Sequence, residues 1–324
     1  MSEPWTTTYR QARMAGATEW ELRTGLWEHP YWGQVRSGGV DPDDPDVRIG
    51  DAIALMSRSD LLTGWAAARG HGVAHADGRD RFYRPVPVAV ISAGRGQHRR
   101  QDGLQPTRRS VHEHEVTVIE SVGAATLTRA AYDMALDAPS LCEALVAVEM
   151  CVSTVIEQGR TTLGNLAGLI DQHQKTRGIV QTRQALAMAS TRSASPWESR
   201  TRYVAEVVGG LTGLEVNVPI FDHAGRLAGI ADLLDRGVGL VIESDGSGHR
   251  EEASHAGDNV REEGFEVLNL VVSRVGAIDH RDEAALVIRL QQARLHAMMR
   301  RAEPLWTTDK PDWWWRWPPG RRWD

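Results

Sequence analysis

The sequence predicts an α/β protein of the α+β kind, and three features carry that expectation. Between residues 195 and 298, helix-start signals and short β-branched runs follow the order α-β-β-β-α-β-α, which suits a mixed sheet flanked by helices. The runs Val86–Ile91 and Val116–Ile119 have the same β-branched character and place strands in the middle of the chain too. Residues 6 to 36 instead carry two short helix patterns around a glycine, followed by a wing-like segment. The expected organisation is a helix-turn-helix-like unit and linker over 1–50, a mixed α/β region over 51–190, a sheet domain over 191–298 and a Trp/Arg-rich tail over 299–324.

Tyr9 to Met14 suits a first helix, Gly16 breaks it, and Thr18 caps a second helix through Glu19, Trp20, Glu21 and Leu22. Trp27 and Trp32 flank His29-Pro30-Tyr31, and Gln34-Val35-Arg36 follows. Such a unit either reads DNA or is a small helical cap packed by its tryptophans. Residues 37 to 50, rich in Gly, Pro and Asp, read as a linker.

In the middle region, Leu61 to Ala68 reads as a helix with a small packing face. A basic run separates the two expected strands: Arg95, Arg99, Arg100, Arg108 and Arg109 against the single acid Asp102. It is either a loop that tracks a phosphate backbone or a solvated loop. Helix is expected from about 139, with Ser140 and Glu143 as a capping box and Leu141, Leu145, Val148, Val152 and Val155 facing a core. Cys142 and Cys151, the only cysteines, fall in that helix as core residues and exclude a disulfide framework or a thiolate zinc site.

Ser195-Pro196-Trp197-Glu198 combines an N-cap serine, a proline at the first helical position and a glutamate three after the cap, so a helix should run to about Val208. Strands are expected at Glu215–Phe221, Leu227–Leu234 and Leu240–Asp245, joined by turns at Asp222-His223-Ala224-Gly225 and Arg236-Gly237-Val238-Gly239. A polar helix over 251–263 ending at Gly264, a buried strand Phe265–Val272 and a helix over 282–298 complete the domain. Six of the twelve tryptophans lie in the tail, where they stack on bases, fold back on an apolar groove or belong to a poorly ordered terminus.

The 324 residues are 41% hydrophobic and 25% charged, which excludes a wholly disordered or fibrous chain. No apolar run approaches the ~18 residues of a membrane span. The first residues lack the layout of a signal peptide, so a cytoplasmic protein without membrane partners is expected. A net charge of −6 argues against coating nucleic acid by bulk charge and leaves room for a local basic face. Apart from Lys175 and Lys310 every basic residue is arginine, a side chain suited to binding anions and unsuited to proton transfer.

Asp232 sits inside an apolar strand, while Glu243 and Asp245, two apart, share a face of the next one. Pairing of the two strands brings three carboxylates to one strand end. Such a cluster either sits in water at a sheet edge or takes a hard divalent cation, Mg²⁺ or Mn²⁺. Gly246 and Gly248 keep the following loop tight, His249 lies four beyond Asp245, and Glu198 is within reach of the same corner. His255, Asp258 and Arg261 recur at spacings of three on one face of the expected helix.

Several spaced motifs together carry a resemblance: Ser195-Pro196-Trp197-Glu198-Ser199-Arg200, Ala231-Asp232-Leu233, Glu243-Ser244-Asp245-Gly246 with His249, and Asp258-Asn259-Val260-Arg261 with Gly264-Phe265. Over about 100 residues the chain resembles the small domains related to very-short-patch-repair endonuclease, members of the PD-(D/E)XK superfamily. Ahead of them, Thr63-Gly64-Trp65-Ala66-Ala67-Ala68, His71-Gly72 and Ala125-Thr126-Leu127-Thr128 are similar to AbiEi-type antitoxins, which carry a winged-helix N-terminus. The resemblance implies a restriction-endonuclease-like sheet in which Asp232 and Glu243 bind the metal, with the Ser244 carbonyl as a further ligand and Glu198 holding a metal water. Asp245 stands where the superfamily's usual lysine would be, which leaves His249, or Asp245 itself, to accept a proton. Arg261 or His255 would steady phosphate charge.

The function so implied is metal-dependent DNA endonuclease, with Asp232, Glu243, Asp245, His249 and Glu198 as catalytic residues. The alternative is a DNA-binding, antitoxin-like regulator whose nuclease fold is silent. A third reading is a defence-system component docking a partner, so the expected partners are DNA and a toxin or phage-defence protein.

Overall fold

The structure, a computed structural model, describes residues 6–92, 101–245, 264–300 and 303–316. It is an α+β protein, as expected, and it divides into two compact units: Met1–Asp137 with Gln158–Ile179, and Ala138–Glu157 with Val180–Asp324.

The first unit opens with β1 (Thr6–Thr8), α1 (Tyr9–Met14), α2 (Glu19–Arg23), β2 (Trp27–Glu28) and β3 (Gln34–Ser37), its strands forming an antiparallel sheet in the order β1-β3-β2. Both helices start on reciprocal capping boxes, Thr8 with Gln11 and Thr18 with Glu21, which occupy N–H groups that a helix end leaves unpaired. Ala12, Leu22 and Val35 form the small core beneath them. The stretch expected as a linker holds a helix, α3 (Pro45–Ile53), because the Asp44 carboxylate caps it and Pro45 stands at its start. Its buried face combines Val47 and Ala52 with two charges: Asp51 pairs with Arg36, and Arg48 donates to the carbonyls of Gly78 and Val86.

A second sheet takes β4 (Leu61–Thr63), β5 (Val88–Ile91), β6 (Leu104–Thr107), β7 (Val116–Ile119) and β8 (Val122–Ala125) in the order β6-β5-β4-β8-β7. The helix expected over Leu61–Ala68 is therefore a strand followed by α4 (Gly64–Gly70). Gly64, at φ +60, makes the turn from one to the other, a backbone shape that a side chain would oppose. Helix α5 (Leu127–Asp137) follows, and after α6 (Leu141–Val152), which belongs to the second unit, the chain returns as α7 (Leu163–Gln172).

In the second unit Ser140 caps α6 as expected, but Glu143 turns away from the cap and forms an ion pair with Arg200. Cys151 is fully buried, and burial pushes its thiol up to about 12, so it is an inert core residue. After α8 (Ile179–Met188), α9 (Pro196–Tyr203) starts on Ser195 and Pro196 and continues through a π-helical turn to Val208. The sheet comprises β9 (Glu215–Asp222), β10 (Leu227–Asp235), β11 (Leu240–Asp245), β12 (Val271–Gly276) and β13 (Trp306–Thr307), in the order β12-β11-β10-β9-β13. The first three strands form an antiparallel meander, β12 runs parallel to β11, and α10 (Glu283–Arg300) closes the unit.

One face of this sheet is packed around Leu233, Ile242, Val271 and Val275 with Val204, Leu286 and Leu290; the other is packed around Ile220, Leu234 and Val241 with Phe265, Leu268 and Leu270. The apolar run at 265–272 begins as a helical turn at 264–267 and becomes a strand only at Val271. Part of the tail also belongs to the core. Trp314 is completely buried edge-on against Phe221 with ring centroids 5.4 Å apart, and Trp306 pairs with Asp222 on the β9 edge. Among the described residues no helix is long and apolar enough to cross a membrane.

Candidate active site

The acids singled out by the sequence meet where β10 and β11 stop pairing. Their register runs Asp235↔Leu240, Leu234↔Val241, Leu233↔Ile242, and at the next level side chains replace the backbone ladder. The Ser244 N–H donates to Asp232 Oδ2 at 2.7 Å, and the Asp232 N–H donates to Glu243 Oε1 at 3.3 Å. Each acid thus accepts an amide of the opposite strand, which holds two half-buried carboxylates beside each other. Glu243 and Asp245 continue the face of Val241 by strand alternation, and Asp245 is exposed at the strand end. Among the described residues, neither Asp245 nor Glu198 joins Asp232 and Glu243 in a group of three donors lying within 4.8 Å of one another.

Two further residues lie at this level of the sheet. Leu233 pairs with Val216 and Ala231 with Val218, which sets Asn217 of β9 opposite Asp232. Asn217 has φ +49 inside a strand, a left-handed conformation that asparagine tolerates better than most residues. The cost is met by its amide, which donates to Glu198 Oε2 and to the Arg192 carbonyl, both at 2.6 Å. On the other side, Arg274 of β12 is the register partner of Glu243 and is exposed. Neither residue drew notice in the sequence; the available signals were a lone amide within Val216–Ile220 and a lone cation in the alternating run Val271–Gly276.

Glu198 is buried, and its Oε2 also accepts the Ala194 N–H at 2.8 Å. Burial raises its carboxyl above the usual range, since its donors from Ala194, Asn217 and Ser195 are neutral and Glu149 adds negative charge. Its visible work is to hold Asn217.

Two of the arginines expected on a nucleic-acid surface lie among the described residues. Arg109 forms ion pairs with Asp133 and Asp137 within the first unit. Arg108 is exposed. Arg95, Arg99, Arg100, His249, His255, Asp258 and Arg261 lie outside the described residues.

The chain matches no known protein family, no curated protein and no solved structure.

Proposed function

We propose that the second unit is a metal-dependent DNA endonuclease hydrolysing phosphodiester bonds, with Asp232 and Glu243 as the metal-binding pair. The observation that carries this reading is that pair itself: two half-buried carboxylates on adjacent strands, each fixed by an amide of the other strand. Hard oxygen donors of this kind suit Mg²⁺ or Mn²⁺. When bound, the ion supplies Lewis acidity toward a phosphate oxygen and lowers the pKa of a water. Asp245, on the same face of β11 and exposed at its end, or His249 would take a proton from that water. Arg274, beside Glu243 in the register, supplies positive charge for the phosphate in the absence of the superfamily's lysine. Glu198 acts at one remove, by keeping Asn217 in its left-handed conformation opposite Asp232.

The test is nicking of supercoiled plasmid by purified protein with Mg²⁺ or Mn²⁺. The Asp232→Ala variant should lose nicking while keeping the circular dichroism of the parent. Wild-type protein that leaves supercoiled, linear and single-stranded DNA intact with either ion rejects the proposal.

A second reading, a DNA-binding regulator with a silent nuclease fold, is favoured by the N-terminal unit. There, α1 exposes Arg10 and Arg13 next to a three-stranded sheet. It expects a gel shift on the DNA upstream of the protein's own gene that Asp232→Ala leaves unchanged.

A further inference from the structure

The first unit gathers a second set of donor side chains, of different chemistry and distant in sequence. His112-Glu113-His114-Glu115 enters β7 through a tight 3₁₀ turn, in which the Glu115 N–H donates to the His112 carbonyl at 3.0 Å. His173 ends α7, 58 positions beyond Glu115. One donor atom from each of His112, Glu115 and His173 lies within 4.8 Å of the other two, with Glu115 and His173 buried and His112 exposed.

The surroundings aim these groups. Arg129 and the His112 N–H both donate to Glu115 Oε2, which directs Oε1 at His173 Nε2, 2.5 Å away. Arg129 is itself fixed by Asp133 and by the Ser110 carbonyl. The His173 carbonyl accepts from Tyr132 and Thr176, and the Tyr132 ring lies against the imidazole at 5.6 Å between centroids. Such outer partners are what orient metal-binding imidazoles and carboxylates.

Charge points the same way. Along the chain of contacts Glu115–Arg129–Asp133–Arg109–Asp137, three carboxylates face two guanidiniums, leaving one net negative charge among them. The His112 ring lies 5.1 Å from the His173 ring and stacks on His114 at 5.6 Å with planes 3° apart. A cation held by the two imidazoles and Glu115 Oε1 would replace the hydrogen bond between His173 and Glu115 and use all three groups, and the exposed His112 side leaves a coordination position facing solvent.

We propose that His112, Glu115 and His173 form a binding site for a borderline divalent transition-metal cation, Zn²⁺ above all, with a further position open to water or an anionic ligand. Two imidazoles and one carboxylate suit Zn²⁺ far better than Mg²⁺, so the site is chemically distinct from Asp232 and Glu243.

Full-length protein, stripped with a chelator and freed of it, is titrated with Zn²⁺ by calorimetry and with Co²⁺ by its visible ligand-field bands. One Zn²⁺ per chain is expected, displacing Co²⁺ and raising the melting temperature. Because His112 is exposed, His112→Ala should leave the melting temperature of the metal-free protein unchanged, yet weaken Zn²⁺ binding by about tenfold or more. His114→Ala and Asp232→Ala should bind Zn²⁺ as the parent does, which keeps this outcome separate from that of the nuclease reading. No uptake by the parent, or equal affinity in parent and His112→Ala, overturns the proposal.

Discussion

Glu115 in the first unit and Glu198 in the second are both buried glutamates, yet their surroundings treat the charge in opposite ways. Burial alone raises either carboxyl. At Glu115 this is outweighed by hydrogen bonds from His173 and the His112 N–H and by the charge of Arg129, so the group is held below the ordinary carboxylate range. At Glu198 the donors are neutral and another acid, Glu149, adds negative charge, so burial wins and the carboxyl is held above that range. The protonation of a buried acid therefore depends on whether the fold brings a cation to it, not on depth. The first unit sets a cation beside Glu115, while the second surrounds Glu198 with neutral donors.

The sharpest way to break this comparison is to remove the cation that makes the two acids differ. Arg129→Met strands the buried Glu115 and Asp133 carboxylates and should destabilise the protein by about 3–5 kcal/mol in urea unfolding. Trp314→Ala is the apolar counterpart in the second unit. It deletes a fully buried ring against Phe221 and should cost about 3–5 kcal/mol on the same scale.

Glu198→Gln tests the opposite acid. A folded-state pKa raised above the unfolded value gives stability that is present below the unfolded pKa and lost as pH rises through the folded one. The glutamine variant, which keeps an acceptor for Ala194 and Asn217, should melt near the parent at pH 4 and progressively above it toward pH 7. An identical pH profile in parent and variant would remove Glu198 from the comparison. The smallest effect belongs to an exposed pair: Arg236→Ala, which breaks the surface contact with Glu215, should change stability by less than about 1 kcal/mol.

The candidate acids of the second unit were legible because strand alternation is local: Glu243 and Asp245 share a face whatever the rest of the chain does, and only the pairing with β10 was needed to add Asp232. The residues completing that level were not legible. Asn217 and Arg274 acquire meaning from register, which sets them opposite Asp232 and beside Glu243. His112 and His173 were overlooked for a stronger reason, since no periodicity links positions so far apart. Arg109 reads as a free cation in sequence, while its partners Asp133 and Asp137 lie on a helix that no local signal connects to it.

What the sequence determined by itself is what a few neighbouring residues encode through short-range hydrogen bonds and periodicity. Those features are the starts of α1, α2 and α9 at Thr8, Thr18 and Ser195, the meander of three strands after Val208, and the shared face of Glu243 and Asp245. Only the tertiary structure decided that Leu61–Thr63 is a strand while 264–267 is helical, because a short apolar run suits either state until neighbouring elements provide hydrogen bonds and cover. It also decided which charges are paired, and so where a cation fits. Electrostatic energy depends on distance through space and on exclusion of water, and neither is written in the spacing of residues along a chain.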